Sequence, residues 1–382
     1  MPVRMIVMLA LSHSAFAGGR LALTLVAVHQ HASPLAVGVI MSLLMVVPMF
    51  VAVPIGRWAD RIGFHLPTWL ALVMIATGAL LVAAWPLLPV LALASVLIGS
   101  GYMLTHVAVN NAIGQASGLA GRAQAFAGMA LGFSISGLAG PMLTGLAIDH
   151  LGDRLAAGLL VLPVLGSAAL MVWPHRMPTY ASDAPPRPAS SRVTDLLHDA
   201  PLRTSLIVGA AISVGFDLFT FLMPLHGARH GFSASAIGFA VGAFGTGSFV
   251  VRLAIPWLVR TLDEWRLLAI ALALTAGCYL IFPFATSLIA TLPLAFVLGM
   301  VLGCGQPLGM SLVHRNAPPE RTGEAVGLRS TIGSMSQTLM PLLSGAVGAA
   351  AGLIPVFWAT ALLLAGGSWY ARKAALASRA ER

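Results

Sequence analysis

Gly56-Arg57-Trp58-Ala59-Asp60-Arg61-Ile62-Gly63 is a short charged stretch between two long apolar runs. The run before it, from about Leu35 to Ile55, is long enough to cross a hydrocarbon core of roughly 30 Å as a helix, and another run begins near Pro67. The connection is too short to leave a membrane surface, so it reads as a turn between antiparallel spans. Gly56 and Gly63 remove side chains where backbones can approach closely. Asp60, flanked by Arg57 and Arg61, is a carboxylate that can pair locally or face a helix N-terminus.

The composition places the whole chain in a bilayer. With 58% hydrophobic and 9% charged residues, it lacks the charged quarter or so of a soluble domain. A net charge of +9 raises the question of nucleic acid, but the basic residues are scattered through short loops instead of gathering on a face, which argues against it. Cys278 and Cys304 both fall within apolar runs and read as core residues, not a disulfide framework or a metal site. Met1 to Ala17 imitates a secretory signal, with Arg4 followed by an apolar stretch and Ala15-Phe16-Ala17. The apolar run continues through Val28, so this segment is expected to stay as the first span.

Twelve runs are long enough to span: 5–28, 35–57, 67–86, 89–112, 123–148 and 155–173, then 204–226, 235–260, 265–285, 288–313, 324–350 and 353–371. Positive charge alternates across their connections. Arg4, Arg57, Arg61, Arg122, the segment from Arg176 to Arg203, Arg260, Arg266, Arg315, Arg321 and the tail lie on one side, against Arg154 and Arg229 on the other. The positive-inside rule then puts both termini in the cytoplasm. A Pro-, Ser- and Ala-rich interval with Pro178, Pro185, Pro186 and Pro188 reads as a flexible linker. The expected organisation is a six-helix bundle over 1–173, a cytoplasmic linker over 174–203, a second bundle over 204–371 and a cytoplasmic tail over 372–382. The two bundles repeat at a register of 200: Ser33 matches Ser233, Gly38 matches Gly238, Pro141 matches Pro341, Gly145 matches Gly345 and Gly152 matches Gly352.

The pattern Gly-x-x-x-Asp-Arg-x-Gly at Gly56, Asp60, Arg61 and Gly63 resembles the loop between spans 2 and 3 of the major facilitator superfamily. The resemblance covers the whole chain. It implies an all-α integral membrane fold of twelve transmembrane helices in two pseudo-symmetric six-helix bundles, with a site at the midplane between them. It also implies that Gly56, Arg57, Asp60, Arg61 and Gly63 form a gate that latches against span 11, where Glu324 stands ready to contact Arg57 or Arg61. Phe64 and His65 replace the usual two basic residues, which predicts a weaker or pH-sensitive latch. Gly140-Pro141 and Gly145 in span 5 resemble the Gly-Pro-x-x-Gly-Gly motif of proton-coupled drug antiporters of this superfamily and read as a second gating element. Thr144 stands where the first paired glycine is expected. No Arg lies between Leu91 and Gly121, where those antiporters often carry one.

Ionisable or strongly polar groups inside a membrane helix are costly enough to be functional candidates. They concentrate in span 1 (His13, Arg20, Thr24), span 4 (Tyr102, His106, Asn110, Asn111), span 7 (Ser213, Asp217, Thr220) and span 10 (Gln306). The resemblance implies that these four spans line the central cavity. Tyr102, His106 and Asn110 recur every four residues and share a helix face. The expected substrate-binding residues are Arg20, Tyr102, His106, Asn110, Asp217 and Gln306. A guanidinium stays charged, so Arg20 suits a fixed anchor for a carboxylate, phosphate or sulfonate. The solvation of Asp217 and its distance from Arg20 change as a site opens and closes, so its carboxyl can bind and release a proton in step with cargo. His106 is the second proton-coupling candidate, because imidazole titrates near 6.5 or so when unperturbed. The competing readings are interhelical hydrogen bonds for His106 and Asn110, and a structural ion pair for Arg20 and Asp217. Arg252 reads as lying just inside the cytoplasmic face.

Met41, Met45 and Met49 have the spacing of a soft-metal ladder but also of ordinary core filler, and no Cys or His shares the stripe. No nucleotide loop, catalytic triad or paired carboxylates are present, so no cofactor, no metal and no enzymatic activity are expected. The leading expectation is a monomeric bacterial inner-membrane transporter. It would export a small anionic or amphipathic organic compound in exchange for protons, with the lipid bilayer as its other partner and no nucleic acid. The alternatives are an organic-acid importer or symporter, and a non-transporting receptor or membrane-embedded enzyme.

Overall fold

The computed structural model describes residues 2–116, 118–172, 193–318 and 321–380. Within these, the side chains of 2, 51–61, 111, 114–116, 118–123, 126–127, 193–194, 322–323 and 378–380 are not described. The described chain is built from twelve α-helices: α1 (Pro2–His29), α2 (Pro34–Ile62), α3 (His65–Ala84), α4 (Leu88–Ala116), α5 (Gly118–Leu159), α6 (Val161–Val172), α7 (Ala200–Arg229), α8 (Ala234–Thr261), α9 (Glu264–Ile281), α10 (Leu288–Asn316), α11 (Thr322–Ala351) and α12 (Leu353–Ala380). No strand occurs among the described residues. A bilayer requires this, since a helix satisfies its own backbone groups where no water can.

Nine stretches among the described residues are apolar and long enough to span, one of them covering α5 and α6 together. The helix α11 is not among them because it carries Ser, Thr and Gly in place of Leu. Its hydroxyls lower the cost by bonding back one turn, as Ser330 does to the Val326 carbonyl at 3.0 Å and Thr338 to the Ser334 carbonyl at 3.0 Å. Outward-facing Leu253, Trp257, Ile289 and Leu362 are 63–86% exposed, an apolar surface that fits lipid and not water.

Several helix ends differ from the sequence expectation, each for a local reason. The helix α2 continues through the charged stretch to Ile62, and the chain turns only at Gly63, whose φ of 81° favours glycine. The helix α7 starts at Ala200, where the Asp199 carboxylate accepts from the Leu202 amide at 2.8 Å. A short 3-10 helix, Val193–His198, precedes it and buries Leu196 beside Leu202 and Val313. The helix α12 runs on to Ala380 through the segment expected as a tail.

The register of 200 reappears in the packing. The helix α2 lies along α11, and α8 lies along α5. A β-carbon on Gly38 would strike the Pro341 carbonyl, and one on Gly238 would come within 2.6 Å of the Pro141 carbonyl. Opposite them stand Gly345 and Gly145, so each seam closes backbone against backbone. Gly152, at φ 81°, breaks α5 where Gly352, at φ 85°, ends α11. Two outer grooves obey the same register: Leu143, Thr144, Ala147 and Ala156 line one, and Leu343, Ser344, Val347 and Val356 the other. The fold is two pseudo-symmetric six-helix bundles. They are drawn together along both seams at the end that holds the α1–α2 turn.

Candidate functional site

A cavity of about 180 Å³ lies between the bundles. The helix α1 contributes His13, Phe16 and Arg20; α5 contributes Phe133, Ser134 and Pro141; α7 contributes Phe216 and Thr220; and α8 contributes Phe244 and Arg252. Among the described residues α4 and α10 supply none of the lining, although they were expected to with α1 and α7. The reason is packing: the small residues of α5 and α8 let those helices meet at the seam, and this brings them to the cavity wall.

Arg20 and Asp217 do come together, but through the backbone. Arg20 Nη2 donates to the Asp217 carbonyl at 3.2 Å, and that carbonyl also accepts from Thr220 Oγ1 at 2.8 Å. No ion pair joins the Arg20 and Asp217 side chains among the described residues. Arg20 Nε is buried with no hydrogen-bond partner among the described residues, an uncommon arrangement for a charged group. Asp217 is 6% exposed. The neighbouring Tyr279 hydroxyl, fully buried, donates to the Gly215 carbonyl at 2.5 Å.

Tyr102, His106 and Asn110 stand one row behind the wall. The Tyr102 ring stacks on Phe16 at 4.3 Å, and His106 lies 5.8 Å from Tyr102 and 5.6 Å from Phe133. Asn110 Nδ2 donates to the His106 carbonyl at 2.8 Å and stands 3.1 Å from His106 Nε2. These contacts support the cavity's aromatic face. Gln306 lies elsewhere: its Oε1 accepts from Arg329 Nη2 at 3.2 Å, and Arg329 passes between α7 and α10 beside Gly209 and Gly309.

The expected gating residues divide. A β-carbon on Gly140 would meet the Ser14 carbonyl of α1 at 2.6 Å, while Pro141 and Gly145 meet α8, so this stretch of α5 touches both bundles. Glu324 pairs with Arg321 at 2.6 Å. Its expected contact with Arg57 or Arg61 involves side chains outside the described residues, as do the contacts of Asp60. Gly56 lies there too, while Gly63 ends α2.

Of two further cavity groups, His13 lies on the wall as its shared helix face with Arg20 led us to expect, and Arg252 was missed. His13 Nδ1 is 2.7 Å from Ser136 Oγ, and its ring packs against Phe133 at 5.0 Å. Arg252 Nη1 donates to Ser134 Oγ at 2.9 Å and to the Ala130 carbonyl at 3.3 Å. Arg252 had been placed at the membrane edge because Arg260 is near, yet it sits nine residues inside the end of α8, about 13 Å by helix rise. Its being charged within an apolar run was the available signal. The described lining therefore holds two guanidinium groups, one imidazole, aromatic walls and no carboxylate. No group of three metal-ligating side chains occurs among the described residues.

The model of the Major Facilitator Superfamily matches residues 5–333 and 266–381, which together span nearly the whole sequence. The chain belongs to the Major Facilitator Superfamily. It is a multi-pass membrane protein and a secondary transporter, not an enzyme. Solved structures agree at the level of fold. A bacterial homologue of the human lysosomal transporter Spinster, in an inward-facing and occupied conformation, aligns with a TM-score of 0.74 at 17% identity over 98% of this chain and 96% of its own. A point mutant of the nucleoside transporter NupG gives 0.73 at 16% identity over 99% of each chain. The peptide transporter POT in complex with sulfate gives 0.78 at 12% identity over 98% and 94%. No curated relative matches the sequence.

Proposed function

We propose that this transporter carries a small amphipathic organic anion together with protons. One observation carries the reading: a cavity walled by Phe16, Phe133, Phe216 and Phe244 holds the guanidinium groups of Arg20 and Arg252 with no carboxylate in the described lining. Positive charge in a low-dielectric site is costly until a counter-ion arrives, and an anion with an apolar body supplies one while covering the rings. Asp217 is the proton carrier. It is buried behind Arg20, which bonds its carbonyl, so the Asp217 carboxyl meets either a free or an anion-occupied guanidinium. A cargo anion on Arg20 offsets the guanidinium field that favours the ionised Asp217 carboxyl, so anion and proton bind together and cross in the same direction. His106, hydrogen-bonded within its own helix, is the secondary proton site of this reading.

Proton-coupled export by exchange is the second reading, supported by the Gly140-Pro141 and Gly145 stretch, which resembles the antiporter motif and here contacts both α1 and α8. In this reading the protein works as a monomer in the bacterial inner membrane with both termini cytoplasmic, in keeping with the charge bias of its loops. Its units are bundles over 1–173 and 204–371 joined by a cytoplasmic linker.

Thermal unfolding of the purified protein against panels of aromatic carboxylates, sulfonates and lipophilic cations tests the reading. Stabilisation by anions that disappears in Arg20→Ala is expected. Stabilisation by cations that depends on Asp217 contradicts it and moves the assignment to cationic drug export.

A further inference from the structure

Arg20 and Arg252 enter one cavity from different bundles and at different depths, and each crosses to the opposite bundle for its hydrogen bonds. Arg20 on α1 reaches the Asp217 carbonyl on α7, whereas Arg252 on α8 reaches Ser134 and the Ala130 carbonyl on α5. The helix α5 gives the separation. Arg252 is bonded at Ser134, while Arg20 lies just past the point where Ser14 and Gly18 meet Gly140, beside Pro141. Ser134 and Pro141 are seven residues apart, about 10 Å at the rise of an α-helix. Between these levels the wall is Phe133, Phe216 and Phe244.

Each guanidinium presents five N–H donors in a planar fork. Among the described residues, Arg20 uses Nη2 for its one hydrogen bond and its buried Nε has no partner, and Arg252 is bonded only through Nη1. Two forks therefore open on one aromatic-walled cavity, each with donors to spare; the described lining holds no carboxylate, and Asp217, behind Arg20, carries no charge in its protonated form, when Arg20 is left without a counter-ion. A single anionic group satisfies one fork and leaves the other buried and uncompensated. The cavity, about 180 Å³, is below the roughly 300–1,000 Å³ of pockets for drug-sized ligands, so the body between the charges is small.

We infer that the cargo is a dianion, a short apolar or aromatic body with an anionic group at each end, held by Arg20 at one end and Arg252 at the other. This deepens the anion-transport reading and rests on it. It adds a mechanical consequence. Such a molecule is a strut between the bundles, because one charge is gripped from α1 and the other from α8, so cargo occupancy sets the distance between the halves.

The test measures affinity of the intact purified protein for benzoate and for benzene-1,4-dicarboxylate by isothermal titration in a chloride-free buffer. A charge-assisted contact at the second fork predicts that the dicarboxylate binds at least about tenfold tighter than benzoate. In Arg252→Gln, which retains a hydrogen-bonding side chain beside Ser134, the dicarboxylate falls to the affinity of benzoate. Equal affinity of the two compounds for the unmodified protein overturns the dianion inference and leaves the anion reading standing. Binding of neither compound, or of any aromatic anion, overturns both. The comparison on the unmodified protein needs no variant, so a folding defect in Arg252→Gln does not weaken it.

Discussion

Arg20 carries a buried Nε with no hydrogen-bond partner among the described residues. A protein does not normally keep such a group inside a membrane without a use for it, since the desolvation of a cation is repaid only by well-placed partners. Replacing it by alanine removes the charge and the fork together. Replacing it by lysine keeps the charge as a point with different geometry. Anion-induced thermal stabilisation is therefore expected to vanish in Arg20→Ala and to fall roughly tenfold in apparent affinity in Arg20→Lys; equal binding by both variants and the native protein would remove Arg20 from the site. Arg20 and Asp217 were legible in the sequence because a charge inside an apolar run has few structural excuses. Arg252 was equally charged but was read against its neighbour Arg260, and linear distance from a helix end conceals how deep a side chain sits. His13 was legible as sharing a cavity-facing helix face with Arg20, but its pairing with Ser136 on α5 was not, because that is a contact between helices far apart in sequence. The cavity phenylalanines carried no signal, since in a chain that is 58% hydrophobic an aromatic residue looks like any other core residue.

At the scale of elements, two devices besides the Arg252 contacts hold the seam between α5 and α8 at the α1–α2 end. One is the close approach at Gly238. The other is Asp149, whose carboxylate accepts from the Ala234 amide at 2.9 Å and the Ser235 amide at 2.8 Å and so caps α8 from the opposite bundle. An N-cap is worth about 1 kcal/mol, less where it is exposed as here. Asp149→Ala is expected to shift the balance several-fold toward a form open at the α1–α2 end. Gly238→Leu should do so more strongly, because the side chain has no space against the Pro141 carbonyl. The readout is labelling of a cysteine placed at the cavity residue Thr220 by a membrane-impermeant maleimide. Faster labelling in both variants is expected, and unchanged rates would show that this seam does not control access. The native cysteines are buried and give little background. The spans and the 200-residue repeat could be read directly, because apolar length and paired Gly and Pro positions are local properties. The choice of lining helices could not. It depends on which small residues let two distant helices touch, so α5 and α8 replaced α4 and α10. Helix ends also escaped where a single contact decides them, as the Asp199 cap does for α7.

At the scale of the whole molecule, two bundles meet along two matched seams around a cavity that carries two fixed positive charges, with a buried carboxyl linked to one of them. In the function proposed, rocking of the bundles, occupancy by an anion and protonation of Asp217 are parts of one cycle. Removing the titratable carboxyl separates the parts: Asp217→Asn should still bind cargo and exchange it across the membrane, but no longer use a pH gradient to concentrate it. The most direct measurement is flux in proteoliposomes, with an anion selected by thermal stabilisation and an imposed pH gradient, comparing the native protein with Asp217→Asn and Arg20→Ala. The account predicts gradient-driven accumulation by the native protein, exchange without accumulation by Asp217→Asn, and neither by Arg20→Ala. Undiminished gradient-driven accumulation by Asp217→Asn, or any by Arg20→Ala, would contradict it.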